Sequence, residues 1–146
     1  MTTALSGSKI AQQLGKKFPE AVIETGADSL LLKGEWLLAV ADYLNKTPGL
    51  DFDYLDHVTA TDYFDYFEVV YYLVSLKHNH GLVLKVRCHD REKPVLPSMT
   101  GIWRGADFQE REIFDLFGIS FEGHPNLRRI VLWEGFEGHP LRKDFL

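Results

Sequence analysis

The sequence predicts an α+β fold: a single two-layer domain in which an antiparallel strand meander packs with helices, followed by an extended C-terminal arm. Three β-rich segments joined by links of a few residues predict the meander. Segments with apolar residues at helical spacing precede and follow them, which favours helices on one face of the sheet. The length of 146 residues suits one domain. We take residues 1–106 as the α+β domain and 107–146 as helix and arm of the same structural unit.

The first half of the chain alternates short helical and extended patterns. Residues 1–8 are small and polar, and we expect them to be frayed. Ser8 is placed to cap the first helix, and Pro19 follows its end. The predicted elements are a helix over 9–18, two strands over 21–24 and 29–33 around a hairpin-like turn, and a helix over 35–45 that Thr47-Pro48-Gly49 ends.

The meander is predicted over residues 52–63, 66–76 and 81–89. The third of these strands alternates well, which predicts one buried face carrying Leu82, Leu84, Val86 and Cys88. Residues 90–97 are then polar and punctuated by proline, and Ser98 is placed to cap a short helical turn that reaches Trp103.

A clear amphipathic helix is predicted from Asp107 to Phe117. Asp107 and Glu110 stand three apart, as in a capping box, and place acidic groups at the positive end of the helix dipole. Arg111 and Asp115 are spaced as an i,i+4 ion pair, and Gly118 supplies a left-handed C-terminal residue. After Phe121 little regular periodicity remains.

Composition excludes several classes of function. A net charge of −5 without a basic stripe argues against nucleic-acid binding. The apolar runs are too short for a membrane span, and the first 17 residues lack the apolar core of a secretory signal. A single cysteine excludes an internal disulfide and a CxxC cluster site. No glycine-rich nucleotide motif is present.

Three polar groupings have a chemical and a structural interpretation. His78 and His80 resemble the start of a metal site, but without an evident third ligand a polar turn is favoured. Cys88 and His89 point to opposite faces of a strand, so we interpret Cys88 as a core residue rather than a nucleophile. The acidic residues between 51 and 65 lack calcium-loop spacing and are expected to form a solvated strand edge.

The C-terminal segment is the unusual part of the sequence. The pentapeptide Phe-Glu-Gly-His-Pro occurs at 121–125 and again at 136–140, and each copy leads into a leucine and two basic residues. In one interpretation the arm wraps back, with its arginines paired to Glu110 and Glu112. In the other it docks on a partner, because arginine and aromatic residues are enriched at the cores of interfaces. The two interpretations are compatible.

Three stretches carry a family resemblance: EREIFDLFGI at 110–119, GHPNLRRI at 123–130 and GHPLRKDF at 138–145. Together they resemble the signature of the C-type subunit of NADH:quinone oxidoreductase (NDH-1), the 30-kDa subunit family of complex I. The residues that the resemblance assigns to a partner interface or to bracing of the arm are Glu110, Arg111, Glu112, Asp115, His124, Pro125, Arg128, Arg129, His139, Pro140, Arg142, Lys143, Asp144 and Phe145.

The resemblance implies a non-catalytic subunit in the peripheral arm of a proton-translocating complex, on the cytoplasmic face of the bacterial membrane. It implies no iron–sulfur cluster, flavin or metal on this chain, whereas the complex uses iron–sulfur clusters, a quinone and, with NADH as donor, FMN. The implied partner is the D (49-kDa-type) subunit, which helps form the quinone site, together with other peripheral-arm subunits.

Two other functions stay open at this stage. Related subunits occur in membrane-bound hydrogenases, in F420H2 dehydrogenases and in ferredoxin-linked complexes, so the sequence does not identify the electron donor. The alternative of another class is a small stand-alone enzyme that uses His124 or His139. Neither histidine has an identifiable nucleophile or orienting acid in the sequence.

Overall fold

A computed structural model describes residues 3–129, 132 and 137–143. Its elements in chain order are β1 (Thr3–Ala4), α1 (Gly7–Lys17), β2 (Val22–Thr25), β3 (Ser29–Leu32), a 3₁₀ turn (Gly34–Trp36), α2 (Leu37–Lys46), β4 (Tyr54–Asp62), β5 (Phe67–Ser75), β6 (His80–Cys88), β7 (Val95–Pro97), α3 (Ala106–Phe117) and β8 (Ser120–Glu122). The α+β class is confirmed, and the bounds of most elements shift from the predicted ones by one or two residues.

The main sheet has the strand order β2-β3-β6-β5-β4. The strands β4, β5 and β6 form the predicted antiparallel meander, and β2 and β3 form the predicted hairpin. The hairpin joins the meander through a parallel pairing of β3 with β6. No local pattern indicated this pairing, because it links segments about 50 residues apart, and it leaves β4 at one edge of the sheet.

The first residues are more ordered than predicted. Thr3 and Ala4 pair with the start of β6 in parallel, so the prediction that residues 1–8 are frayed is wrong for these two positions. The helix α1 begins at Gly7 after Ser6, not after Ser8. A Cβ atom on Gly7 would lie 2.3 Å from the Gly26 carbonyl oxygen, so the tight approach to the β2–β3 turn requires glycine here.

One face of the sheet forms the core with all three helices. Alternate residues of β5 and β6 are buried, and Phe67, Val69, Tyr71, Leu82, Leu84 and Val86 belong to one apolar cluster. That cluster also includes Ile10 and Leu14 of α1, Val40 and Leu44 of α2, and Ile113 and Phe117 of α3. The helices therefore cover one face, as the two-layer prediction requires.

None of the helices in the described part of the chain has the length and apolar character that a membrane span requires.

A second, two-stranded sheet precedes the arm. The strands β7 and β8 pair in parallel, with Leu96 opposite Phe121, and neither strand was predicted. Residues 98–103 form turns, closed by a bond from the Trp103 N–H to the Met99 carbonyl. Ser98 caps this turn as predicted, because its Oγ accepts the Thr100 N–H at 3.2 Å, and its hydroxyl also donates to the Glu110 carboxylate.

The helix α3 begins at Ala106, and the residue before it, Gly105, provides no side-chain cap. The predicted capping box is wrong, because the Glu110 carboxylate accepts from the Ser98 hydroxyl at 2.6 Å and from the Met99 N–H at 2.8 Å. The predicted C-terminal residue is confirmed: Gly118 has φ 78° in the left-handed region, and its N–H bonds to the Phe114 carbonyl. The ends of α3 are where the arm attaches.

Candidate functional site

The arm satisfies the C-terminal end of α3. The last carbonyls of a helix have no partner within the helix. Here the Asp115 carbonyl lies 2.9 Å from His139 Nδ1, and the Leu116 carbonyl accepts from the Leu141 N–H at 2.9 Å. The Phe117 carbonyl accepts from Arg142 Nε. With the Gly118 bond, all four terminal carbonyls of α3 have donors.

Asp115 is the centre of this attachment. Its side chain is fully buried, and Oδ1 lies 3.1 Å from the Arg129 guanidinium. Its other oxygen accepts the Leu132 N–H at 2.9 Å. Arg129 also donates to the Gly138 carbonyl at 2.7 Å, which joins the two halves of the arm. The contact of Arg129 with His139 Nδ1 at 3.5 Å is only proximity, since that nitrogen carries the proton donated to Asp115.

The first histidine of the repeat lies at the opposite end of α3. His124 Nδ1 accepts the Asn126 N–H at 2.9 Å, so Nε2 carries the proton. Nε2 lies 3.1 Å from both the carbonyl oxygen and a carboxylate oxygen of Asp107, in the first turn of the helix. The two copies of the pentapeptide therefore place their histidines at the two ends of one helix.

The arm also contacts the turn between β4 and β5. The Lys143 N–H donates to Asp62 Oδ2 at 2.8 Å, and Arg91 holds both oxygens of the same carboxylate at 2.6 and 2.9 Å. The guanidinium groups of Arg91 and Arg142 lie 4.6 and 5.0 Å from the Phe67 ring. The Arg91 hydrogen bonds lower the pKa of Asp62 well below its usual range.

The Glu110 side chain joins α3 to the segment before it and does not contact the arginines of the arm. It is fully buried, and burial raises the pKa of its carboxyl despite the Ser98 and Met99 hydrogen bonds. The predicted pairing of Glu110 with the arm is therefore wrong, and Glu112 is exposed without an ion pair among the described residues.

The predicted Arg111–Asp115 ion pair is also absent from the described contacts. Arg111 Nε instead donates to the Arg128 carbonyl at 3.2 Å, and the guanidinium lies 5.3 Å from the Phe108 ring. Asp115 points to Arg129 of the arm, so both members of the expected helical pair are used to hold the arm.

The remaining site residues lie at the surface or outside the described part. Arg128, Pro125 and Lys143 are exposed, and Pro140 is half-buried. Asp144 and Phe145 lie outside the described residues, as do Trp133 and Phe136. Two apolar side chains beside α3 are also open to solvent: Phe108 is 64% exposed and Leu141 is 52% exposed. Arg111 bonds the Arg128 carbonyl and lies beside the Phe108 ring, so Arg128 and Phe108 are neighbours, and we name these two exposed side chains the α3–arm surface.

The other polar groupings have structural roles. His78 Nε2 lies 2.7 Å from an Asp51 oxygen, and His80 is buried with Nε2 2.7 Å from the Leu50 carbonyl. Within the described ranges, no group of three or more His, Cys, Asp or Glu residues could hold a metal. Cys88 is confirmed as a core residue, and burial raises the pKa of its thiol to about 11. Asp62 corrects the expectation of a solvated acidic edge, since it is buried and paired.

The contacts made by Asp62, Arg91, Ser98 and Gln109 are not indicated by any local sequence pattern. Each of these residues makes a bond to a residue at least 12 positions away. Gln109 Oε1, for instance, accepts the N–H of Val58 from the edge strand β4.

Comparison with known proteins identifies the family. The family described as "Respiratory-chain NADH dehydrogenase, 30 Kd subunit" matches residues 30–146, which include α3 and the arm. The C-type subunit of NADH-quinone oxidoreductase from Roseiflexus sp. (strain RS-1) is 40% identical over 97% of this chain and 84% of that protein. The second C-type subunit of the same enzyme from Rhizobium meliloti (strain 1021) is 45% identical over 76% of this chain and 62% of that protein.

A solved structure shares the fold. A chain of the membrane-bound sulfane sulfur reductase, an archaeal respiratory membrane complex, superposes with a TM-score of 0.75 over 95% of this chain and 85% of that one. Its sequence identity is 23%, so this likeness concerns the fold alone. The family match and the curated relatives carry the assignment: the chain belongs to the 30-kDa subunit family of respiratory-chain NADH dehydrogenases.

Proposed function

We propose that the chain is a non-catalytic structural subunit of a proton-translocating NADH- or ferredoxin-dependent quinone oxidoreductase. In this role it holds the D (49-kDa-type) subunit near the quinone site through its α3–arm surface. The observation that carries the proposal is the arm itself: it contacts both ends of α3, at His124 near one end and at His139 and Arg142 near the other.

A braced arm is suited to docking. Association costs free energy for each side chain and loop that becomes ordered on binding. The Asp115–Arg129 pair and the terminal carbonyls of α3 hold the arm before any partner arrives. The α3–arm surface then offers an exposed arginine and an exposed phenylalanine, since arginine and aromatic residues are the types enriched at interfaces.

The chemistry of the complex would belong to other subunits. The relatives are named for NADH and quinone, and the proposal assigns iron–sulfur clusters, quinone and, with NADH as donor, FMN to neighbouring chains. In this arrangement the chain lies at the cytoplasmic face of the membrane and reaches it only through the complex. Its internal contacts support a structural role, because the buried carboxylates Asp62, Glu110 and Asp115 are all occupied by donors within the chain.

Affinity purification tests the proposal. A tagged chain is expressed from its own locus, membranes are solubilised in mild detergent, and the co-purifying proteins are identified. We expect a D-type subunit and cluster-bearing subunits at one copy per tagged chain. Recovery of the chain as a free monomer from the soluble fraction would contradict the proposal.

The purified complex also identifies the electron donor. Quinone reduction is measured with NADH and with reduced ferredoxin. A nickel-binding large subunit in place of a D-type one would indicate a hydrogenase.

A further inference from the structure

The edge strand β4 leaves one backbone position open beside an apolar groove. The bond from the Tyr63 N–H to the Tyr66 carbonyl closes the β4–β5 turn. Since backbone groups of an antiparallel strand alternate in direction, Thr61 and Thr59 bond to β5, whereas Val58 and Ala60 point to the free edge. Gln109 of α3 accepts the Val58 N–H, but no described group bonds the N–H or the C=O of Ala60.

Ala60 opens into a groove of about 190 Å³ between β4 and α3, which we name the β4–α3 groove. Its apolar lining is Val58, Ala60, Ile113, Leu116, Phe117 and Leu141. Glu112 also lines it and is exposed without an ion pair among the described residues. The groove therefore combines a free backbone donor and acceptor, an apolar wall and one negative charge.

We propose that the β4–α3 groove binds a short extended segment of the neighbouring subunit, which adds to the edge of β4 at Ala60. In an antiparallel arrangement one residue of that segment exchanges both backbone hydrogen bonds with Ala60, and in a parallel arrangement two residues of the segment make one bond each. An aliphatic side chain of the segment packs against Ile113, Leu116 and Leu141. A lysine or arginine of the segment pairs with Glu112.

The chemistry of the groove selects this occupant. A free strand edge is a template for another strand, and proteins leave such an edge uncovered at a cost in aggregation. Gln109 shows how the edge is satisfied elsewhere: its side-chain amide stands in for a peptide group, accepting from Val58 and donating to the Gly105 carbonyl. A helix from a partner would not satisfy both the N–H and the C=O of Ala60, because its own backbone groups are bonded within the helix.

Hydrogen exchange measures the proposed bond directly. The peptide over residues 56–62 is followed by mass spectrometry in the isolated chain and in the purified complex. We expect at least tenfold slower exchange of one amide in the complex, while the amides bonded to β5 are protected in both. The inference rests on the proposed assembly: failure to co-purify would contradict that function, whereas co-purification with unchanged exchange in this peptide overturns the groove inference alone.

Two variants test the groove in the assembled complex. Ala60→Pro removes the edge N–H at a position where an edge strand tolerates proline, and we expect at least fivefold lower incorporation than for Ala60→Val. Leu141→Asp puts a charge in the groove at a side chain that is already 52% exposed, and its matched control is Leu76→Asp, at a leucine 67% exposed far from the groove. Equal incorporation of Leu141→Asp and Leu76→Asp overturns the inference, whether or not Ala60→Pro folds.

A second copy of this chain is the competing occupant. Edge-to-edge pairing of two β4 strands would give a dimer of the isolated chain in solution. We expect a monomer by light scattering after size-exclusion chromatography. A dimer that Ala60→Pro converts to a monomer would assign the edge to self-association and overturn the proposal of a partner segment.

Discussion

Asp115 Oδ1 lies 3.1 Å from the guanidinium of Arg129, and this contact ties the middle of the arm to the last turn of α3. The Asp115 side chain is fully buried and that of Arg129 is 15% exposed, so water screens the pair little. The Asp115 carboxylate also accepts the Leu132 N–H, and a buried charge without a cation beside it is destabilising. The Asp115–Arg129 pair therefore holds the arm within the chain, whereas Arg128, the residue before Arg129, is exposed.

Asp115→Asn tests this brace. Loss of the charge removes the Asp115 carboxylate from the Arg129 guanidinium, and breaking a buried pair typically costs about 3 kcal/mol. We expect the free energy of unfolding of the isolated chain, measured in urea, to fall by about that amount. Glu112→Gln, on an exposed face of the same helix, is the matched control and should change it by less than about 0.5 kcal/mol. Equal values for the two variants would contradict the account.

The lowered pKa of Asp62 predicts that the folded chain loses stability in acid. Its pKa is lowered in the folded chain by the Arg91 hydrogen bonds, so its stabilising effect is present above the unfolded pKa of about 3.9 and is lost as the pH falls below it. We expect Asp62→Asn to lower the free energy of unfolding by about 2 kcal/mol at pH 7 and by clearly less at pH 3. A difference between wild type and variant that stays constant over this range would contradict the prediction.

The raised pKa of Glu110 predicts the opposite pH dependence of stability. Its pKa is raised by burial, so its contribution is fully present below the unfolded pKa of about 4.3 and is lost as the pH rises through the folded value. The stability of the wild-type chain relative to Glu110→Gln should therefore decline from pH 4 to pH 7. Paired urea titrations at each pH measure this difference, in which the effect of Asp62 cancels. A difference that increases with pH would show that the Ser98 and Met99 hydrogen bonds outweigh burial.

Cys88 predicts an unreactive thiol. It is 7% exposed, and its pKa of about 11 leaves little thiolate at pH 8. We expect labelling by a disulfide reagent at pH 8 to be at least a hundredfold slower in the folded chain than in 6 M guanidinium. A variant with Cys88→Ala and Ser8→Cys places a thiol on an exposed position of α1 and should label promptly. Rapid labelling of folded wild type would contradict the assignment of Cys88 to the core.

The local parts of this structure were predictable from the sequence, and the long-range contacts were not. The meander and α3 follow from alternation in residues 81–89 and from the helical spacing up to Gly118. The repeated pentapeptide was evident, but nothing in its composition indicated that His124 and His139 contact opposite ends of α3. Glu110, expected to pair with the arm, is instead occupied by Ser98, which local spacing does not indicate. Tertiary contacts decided these partners.

The arginines of the arm divide into two roles, which separates internal bracing from docking. Arg142 bonds the Phe117 carbonyl and lies over Phe67, so Arg142→Ala should destabilise the isolated chain by about 1–3 kcal/mol. The Arg128 side chain is exposed, and among the described residues its one hydrogen bond is the one that its carbonyl accepts from Arg111. Arg128→Ala should therefore change the stability of the isolated chain by less than about 0.5 kcal/mol.

The incorporation of Arg128→Ala into the complex is the most direct test of the docking role. The tagged variant and wild type are purified from solubilised membranes, and the D-type subunit recovered per tagged chain is quantified. We expect at least a tenfold loss of the D-type subunit for Arg128→Ala, since truncating one partner of a buried interface charge pair costs roughly 2–5 kcal/mol. Recovery equal to wild type, with both isolated chains equally stable, would contradict the claim that this surface holds the D-type subunit.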